Sequence, residues 1–117
     1  MTKRRLTKLV WDRLATVIDP ELGINIVDMG LIYNVKISPI DQSKHHKKKF
    51  KAEIEMTLTI MGCPLAGVIH AMVVEAVSQA SPTHLIADNV TVNLTFDPPW
   101  TSEMMSQEAQ AKLKFLL

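Results

Sequence analysis

The sequence contains a single cysteine, Cys63, among its 117 residues. One cysteine excludes a disulfide within the chain. It also excludes the metal and redox motifs in which two cysteines lie two or three residues apart. Any chemistry at this position therefore uses a single free thiol.

Excess charge and long apolar runs are also missing from the sequence. The 13 basic and 12 acidic side chains leave a formal net charge of +1, so no overall field attracts nucleic acid or a membrane surface. No apolar run approaches the roughly 18 residues of a membrane span, and the basic start leads into an amphipathic stretch rather than a signal peptide. We therefore expect a cytoplasmic protein with neither nucleic acid nor membrane as a partner.

The residues that are present indicate one ordinary domain over residues 1–117. Hydrophobic residues make up 47% of the chain, which is enough for one core. Apolar periodicity predicts strands at 31–37, 50–60 and 90–96, a helix at 3–18, a central helix from Pro64 to just before Ser81, and a last helix capped near Thr101 or Ser102.

This element order, α-β-β-α-β-α, predicts an α+β fold in which helices cover one face of a three-stranded sheet. The open face is expected to be polar and rich in hydroxyl groups, and to carry Thr57, Thr59, Thr91, Asn93 and Thr95. Such a face either binds a partner or simply meets water.

Two connecting segments carry clusters of polar residues. Asp19, Pro20 and Gly23 predict a single capped helical turn, in which the carboxylates of Asp19 and Glu21 accept protons, hold iron or simply cap the turn. Residues 44–49 contain four lysines and two histidines without interleaved aromatic residues, which is typical of a solvated hairpin loop rather than a phosphate site.

Cys63 is followed by Pro64, which suits the first position of a helix and makes the cysteine its N-cap. The positive end of the helix dipole favours the thiolate, and the small residues Ala66 and Gly67 leave room above the sulfur. The alternative is a cysteine that fills space in the core. A Cys-His catalytic pair needs a distant histidine such as His84, because His70 lies about 10 Å along the helix from the thiol.

Three segments, DPELGINIVDMGLIYNV, MTLTIMGCPL and FDPPWTSEMMSQEA, together resemble the signature of the SufT- and PaaD-like metal-sulfur cluster biosynthesis family, also called MIP18-like or domain of unknown function fifty-nine. The resemblance covers most of the chain from Val17 onward. It implies a fold similar to the C-terminal domain of Nfu-type scaffolds. It also implies an accessory role in assembling iron-sulfur clusters or passing them to client apoproteins, and no enzymatic activity.

In this family the functional pocket lies between the DPEL turn, the end of the TLT strand and the cysteine. The resemblance carries this pocket onto Asp19, Glu21, Leu22, Thr57, Thr59 and Cys63. One thiol cannot hold a cluster with four-ligand chemistry alone, so stable binding would need a homodimer, other types of ligand or a client protein. We expect no stably bound cofactor and only transient contact of Cys63 with iron or a cluster. The expected partners are the iron-sulfur assembly proteins and client apoproteins.

Two features separate this chain from parts of the family. Many members have Thr-Pro where this chain has Ile60 and Met61, so one pocket hydroxyl is missing. The phenylacetate-degradation branch usually carries an additional cysteine-bearing C-terminal segment that is not found before Leu117. The SufT-like role is therefore favoured over a subunit or maturation factor of a phenylacetate-type ring-hydroxylating system, and over a thiol-dependent enzyme.

Overall fold

The structure is a computed structural model that describes residues 2–20, 22–40, 49–59, 66–85 and 89–116. In this part of the chain, three helices and three strands follow one another in the predicted order, and a short 3-10 turn precedes the last helix. They are α1 (Lys3–Leu14), β1 (Ile32–Ile40), β2 (Lys49–Met56), α2 (Ala66–Ser78), β3 (Val90–Leu94), the 3-10 turn (Ser102–Met104) and α3 (Gln107–Leu116).

Helix α1 begins at a capping threonine and ends earlier than its apolar period suggests. The hydroxyl of Thr2 accepts a hydrogen bond from the N–H of Arg5, which satisfies one unpaired donor of the first turn. The prediction that this helix continues to residue 18 was wrong, because residues 17 and 18 pair with residues 25 and 26 instead. The N–H of Ile26 donates to the carbonyl of Val17 at 2.9 Å. Val17 is buried as predicted, but from an extended segment.

The sheet is mixed, with strand order β1-β2-β3. The hairpin pair β1 and β2 is antiparallel, whereas β2 and β3 are parallel and joined through α2. A parallel pair requires such a crossover because the chain must return to the same end of the sheet. The central strand β2 therefore carries the only parallel pairing among the described residues.

Strand β2 alternates buried and solvent-facing residues, as predicted, only as far as Met56. Thr57 and Leu58 are buried as well, and successive residues of a regular strand cannot both face the same core. The predicted continuation of the strand over 57–59 was therefore wrong, because this segment is covered on both sides. Ile60, the last residue of the predicted strand, lies outside the described residues.

The two edge strands differ from expectation in length and exposure. Strand β1 extends through Pro39 to Ile40, which an edge strand tolerates, and it carries an irregularity between Ile32 and Asn34. Strand β3 leaves the side chain of Leu94 44% exposed, although the alternation assigned it to the buried face.

The final helix begins later than predicted. Thr101 starts only a short 3-10 turn, and the hydroxyl of Ser106 accepts the N–H of Ala109 at the start of α3. The sequence between the last strand and α3 is used instead to cover the start of β1.

Helices α1 and α2 pack on each other, with α1 against β1 and α2 against β3, which confirms the α+β class. No described helix has the length and apolar character to cross a membrane. The basic run at 44–48 lies outside the described residues, and so do the predicted helix cap at Cys63 and Pro64. The likeness to Nfu-type domains stays a prediction.

Candidate functional site

The DPEL segment forms the predicted capped turn. The carboxylate of Asp19 accepts the N–H of Leu22 at 3.2 Å, and the N–H of Gly23 donates to the carbonyl of Asp19 at 2.8 Å. Gly23 has a φ of +67°, the left-handed conformation that commonly ends a helical turn. Asp19 is only 7% exposed, so its charge is held inside the fold rather than in solvent.

The two threonines of the TLT segment occupy different environments. Thr57 is fully buried, so its expected place on the open polar face was wrong. Its N–H donates to the carbonyl of Leu31 at 2.8 Å, because the chain here bonds the segment before β1. Thr59 is partly exposed, and Leu22 is half-buried against the core.

Backbone hydrogen bonds connect the capped turn to the TLT segment. Ile26 N–H donates to Val17, Leu31 N–H donates to Ile26, and Thr57 N–H donates to Leu31. Their lengths are 2.9, 3.1 and 2.8 Å. These bonds form one continuous layer at the end of the sheet, from Thr57 through the segment before β1 to Val17, two residues before Asp19.

The segment that leads to Cys63 leaves the sheet at the carboxyl ends of its parallel strands. Met56 of β2 lies opposite Leu94 of β3, and the N–H of Thr95 donates to the carbonyl of Met56 at 2.8 Å. Binding sites in sheets with parallel strands commonly form beyond this edge. Both the TLT segment and the FDPPW segment start there.

The FDPPW segment folds back over the start of β1. The indole N–H of Trp100 donates to the carbonyl of Met29 at 2.7 Å, and the hydroxyl of Tyr33 donates to the carbonyl of Pro98 at 2.8 Å. Tyr33 lies at the irregularity of β1, where the pairing register shifts and a side chain can be redirected. A further bond joins the N–H of Ser106 to the carbonyl of Asp28 at 2.7 Å.

These contacts were not predicted from the sequence. The sequence left open whether Trp100, Met104 and Met105 pack inward or form a docking patch. Met105 is buried, and Trp100 packs partly buried against the core. The only sequence signal was the presence of large apolar residues after a strand that two prolines end. Residues of the first and third sequence motifs thus meet in space.

Glu21 and Cys63 lie outside the described residues, so the structure describes four of the six predicted pocket positions, and the pocket itself stays a prediction. The described chain stops at Thr59 and resumes at Ala66. Among the described residues, a methyl group added to Gly67 would have no heavy atom within 4 Å, and the expected room above the sulfur stays a prediction. Among the described residues, no three His, Cys, Asp or Glu side chains are grouped as a metal site.

Asp19 provides a first test of this geometry. Replacing Asp19 by alanine removes the carboxylate that accepts the N–H of Leu22, and we expect the free energy of unfolding to fall by about 1–2 kcal/mol. Asp19→Ser keeps a capping oxygen without the charge and should recover most of that loss. Urea unfolding followed by circular dichroism measures both; equal losses in the two variants would contradict a capping role.

Comparison with known proteins gives a consistent family assignment. A family model described as iron-sulfur cluster assembly protein matches residues 8–86. The Fe-S protein maturation auxiliary factor YitW of Bacillus subtilis is 37% identical over 108 residues, which cover 92% of this chain and 93% of that protein. The auxiliary factor SufT of Staphylococcus aureus is 37% identical over 97 residues, covering 83% of this chain and 96% of that protein.

A solved structure supports the same assignment. The crystal structure of a domain of unknown function from Bacillus anthracis is 37% identical to this chain and superimposes with a TM-score of 0.75, covering 96% of this chain and 93% of that one. The resemblance carried by the three sequence motifs is thereby confirmed. The chain belongs to the iron-sulfur cluster assembly protein family.

Proposed function

We propose that this protein is a cytoplasmic accessory factor in the maturation of iron-sulfur proteins and that it acts through the thiol of Cys63. The observation that carries the proposal is the match to relatives named as maturation auxiliary factors across at least 83% of this chain. Those names also favour a non-enzymatic role and speak against the phenylacetate-type alternative. Iron or a cluster is cargo in this role, held briefly and passed on.

The geometry supports a site at the carboxyl end of the parallel strands. The segment toward Cys63 leaves this edge beside the buried hydroxyl of Thr57. The same bonded layer continues to the turn of Asp19. The family resemblance implies that the thiolate of Cys63 lies near this carboxylate and this hydroxyl, and such a donor set suits iron.

Large apolar side chains next to these positions remain exposed. Ile18, which precedes Asp19, is 44% exposed, and Val68, five residues after Cys63, is 51% exposed.

The test of the role itself is complementation. In a strain that lacks this protein and grows with high demand for iron-sulfur enzymes, the wild-type chain should restore the activity of those enzymes, because their clusters are then inserted. Cys63→Ser should leave activity at the level of the deletion strain. Ser78→Ala, at the far end of α2, is the matched control and should restore activity fully. Normal enzyme activity in the deletion strain would overturn the proposal.

Anaerobic reconstitution with iron and sulfide then distinguishes the two forms of the role. A carrier that bridges a cluster between two copies should show visible absorption and a dimer on size exclusion, both lost in Cys63→Ser, because each copy supplies one thiolate. An adaptor that only presents a thiol to its partners should take up no cluster. Cluster uptake that is unchanged in Cys63→Ser would contradict the assigned role of the thiol in both forms.

A further inference from the structure

Helix α1 carries a concentration of positive charge that the family role does not use. Its residues include five basic side chains and one acidic side chain, a formal net charge of +4. The whole chain has a net charge of +1, so the rest of the sequence sums to −3. The positive charge of α1 is therefore offset by a net negative charge in the rest of the sequence.

Three of these five basic side chains line an open depression, called the cavity below, along one side of the helix. This cavity has a volume of about 520 Å³, and its described wall consists of Thr2, Arg4, Arg5, Lys8 and Leu9. The wall thus combines three cations with one partly buried leucine, and no acidic residue is among its described members. An apolar floor with cationic sides is unlike an evenly solvated helix surface.

The arginines of this wall are available to a ligand. Arg4 and Arg5 are exposed, and neither guanidinium has a carboxylate partner within the described part of the chain. The Lys8 ammonium lies 3.1 Å from the carboxylate of Asp12, but both side chains are more than half exposed. An exposed pair of this kind contributes little, so Lys8 can exchange its partner.

We propose that this face of α1 is a docking surface for an acidic, amphipathic segment of a partner protein. Carboxylates of the segment pair with the guanidinium groups of Arg4 and Arg5, which bind carboxylates in a two-pronged geometry. An apolar side chain of the segment covers Leu9. This surface lies on α1, a different helix from α2, which follows Cys63 in the sequence.

The observations favour a protein partner over nucleic acid. The described wall has no aromatic side chain on which a base could stack, and it has a leucine that a phosphate backbone would not cover. The negative sum of the remaining residues also opposes a long anionic polymer that extends beyond α1. A segment of limited length that carries both carboxylates and apolar residues fits the wall better.

This proposal takes from the proposed function only the expectation that a partner protein exists. The test therefore uses purified protein and no cluster chemistry, so that the two proposals can fail separately. The probe is a fluorescein-labelled helical peptide with a stripe of Glu and a stripe of Leu, and binding is followed by fluorescence anisotropy. Arg4→Gln combined with Arg5→Gln should weaken binding about tenfold, which corresponds to about 1.4 kcal/mol. The matched control, Lys112→Gln with Lys114→Gln, removes two exposed charges from α3 and should change binding less than twofold.

Two further probes complete the test. A peptide with Ser in place of Leu should bind more weakly, because it loses the apolar contact with Leu9. Added salt should weaken binding of the original peptide, because it screens the charge pairs with Arg4 and Arg5. A peptide with Lys in place of Glu should not bind wild-type protein, and this comparison needs no variant to fold. The proposal is overturned if the arginine variant binds like wild type or if a single-stranded oligonucleotide binds more tightly than the peptide. Self-association that the arginine variant abolishes would assign the surface to a second copy and would also overturn it.

Discussion

Gly30→Ala is expected to lower the free energy of unfolding by about 3 kcal/mol, because it combines a strained backbone with a steric overlap. Gly30 has a φ of +76°, and a Cβ at this position would overlap the backbone carbonyl of Met104, with 2.8 Å to its carbon atom. A backbone carbonyl can yield only if the whole segment moves. Urea unfolding followed by circular dichroism measures the loss.

Gly23→Ala is the control that separates the two causes. Gly23 also has a positive φ of +67°, but no heavy atom of the described residues outside its chain neighbours lies within 4 Å of the added Cβ. It should lose only about 1 kcal/mol, the cost of the left-handed conformation for an L-residue. If both glycine variants lost the same amount, contact between Gly30 and the C-terminal segment would have no energetic role.

The conformation of Gly30 follows from the way its turn ends. The N–H of Leu31 donates to the carbonyl of Ile26, and the N–H of Gly30 donates to the carbonyl of Val27. This pair of bonds is the Schellman arrangement, in which the residue at the position of Gly30 is left-handed. The absence of a side chain then allows residue 104 to approach. One glycine thus meets two separate requirements.

Trp100→Ala is expected to have the second large effect on stability, about 3 kcal/mol, because it removes a large side chain that packs on the core together with a hydrogen bond. The bond is the 2.7 Å contact from the indole N–H to the carbonyl of Met29. Trp100→Phe keeps much of the packing and should lose about 1–2 kcal/mol, the cost of leaving a buried acceptor without its partner. Thermal and urea unfolding report both values.

Trp11→Phe is the matched control for the indole bond. Trp11 also packs partly buried against the core, and its indole N–H has no hydrogen-bond partner among the described residues. The change should therefore cost less than Trp100→Phe. An equal loss at the two positions would mean that packing alone, and not the bond to Met29, accounts for the effect at Trp100.

The element order could be predicted because each helix and strand carries its own period. Phe50, Ala52 and Ile54 alternate with charged residues, and this strand appears where the alternation placed it. The capped turn at Asp19 was also predictable, because its signals lie within five consecutive residues. Local patterns of this kind depend little on the rest of the chain.

The errors have a common physical cause, which is pairing between distant segments. Residues 17 and 18 continue the period of α1, yet they pair with residues 25 and 26 instead. Thr57 alternates as a surface residue, yet the segments that cover it come from elsewhere in the chain. The contact between Trp100 and Met29 spans 71 positions, and no local window contains both.

The role of the three motifs was available only from resemblance. Composition and spacing singled out Cys63 as a capping thiol but could not assign it a cargo. The family match supplies iron-sulfur assembly, and the structure adds how two of the motifs meet. The environment of the thiol itself remains a prediction from the sequence at residues 60–65.

The contacts of the FDPPW segment also bear on the order of events during synthesis. They join residues 65 and 71 positions apart, and closing a loop of about 70 residues costs roughly 4 kcal/mol of chain entropy. A ribosome makes the start of β1 before Trp100 and Ser106, so Met29 and Tyr33 emerge before the segment that bonds them. The start of β1 is therefore covered only after the C-terminal residues have been made.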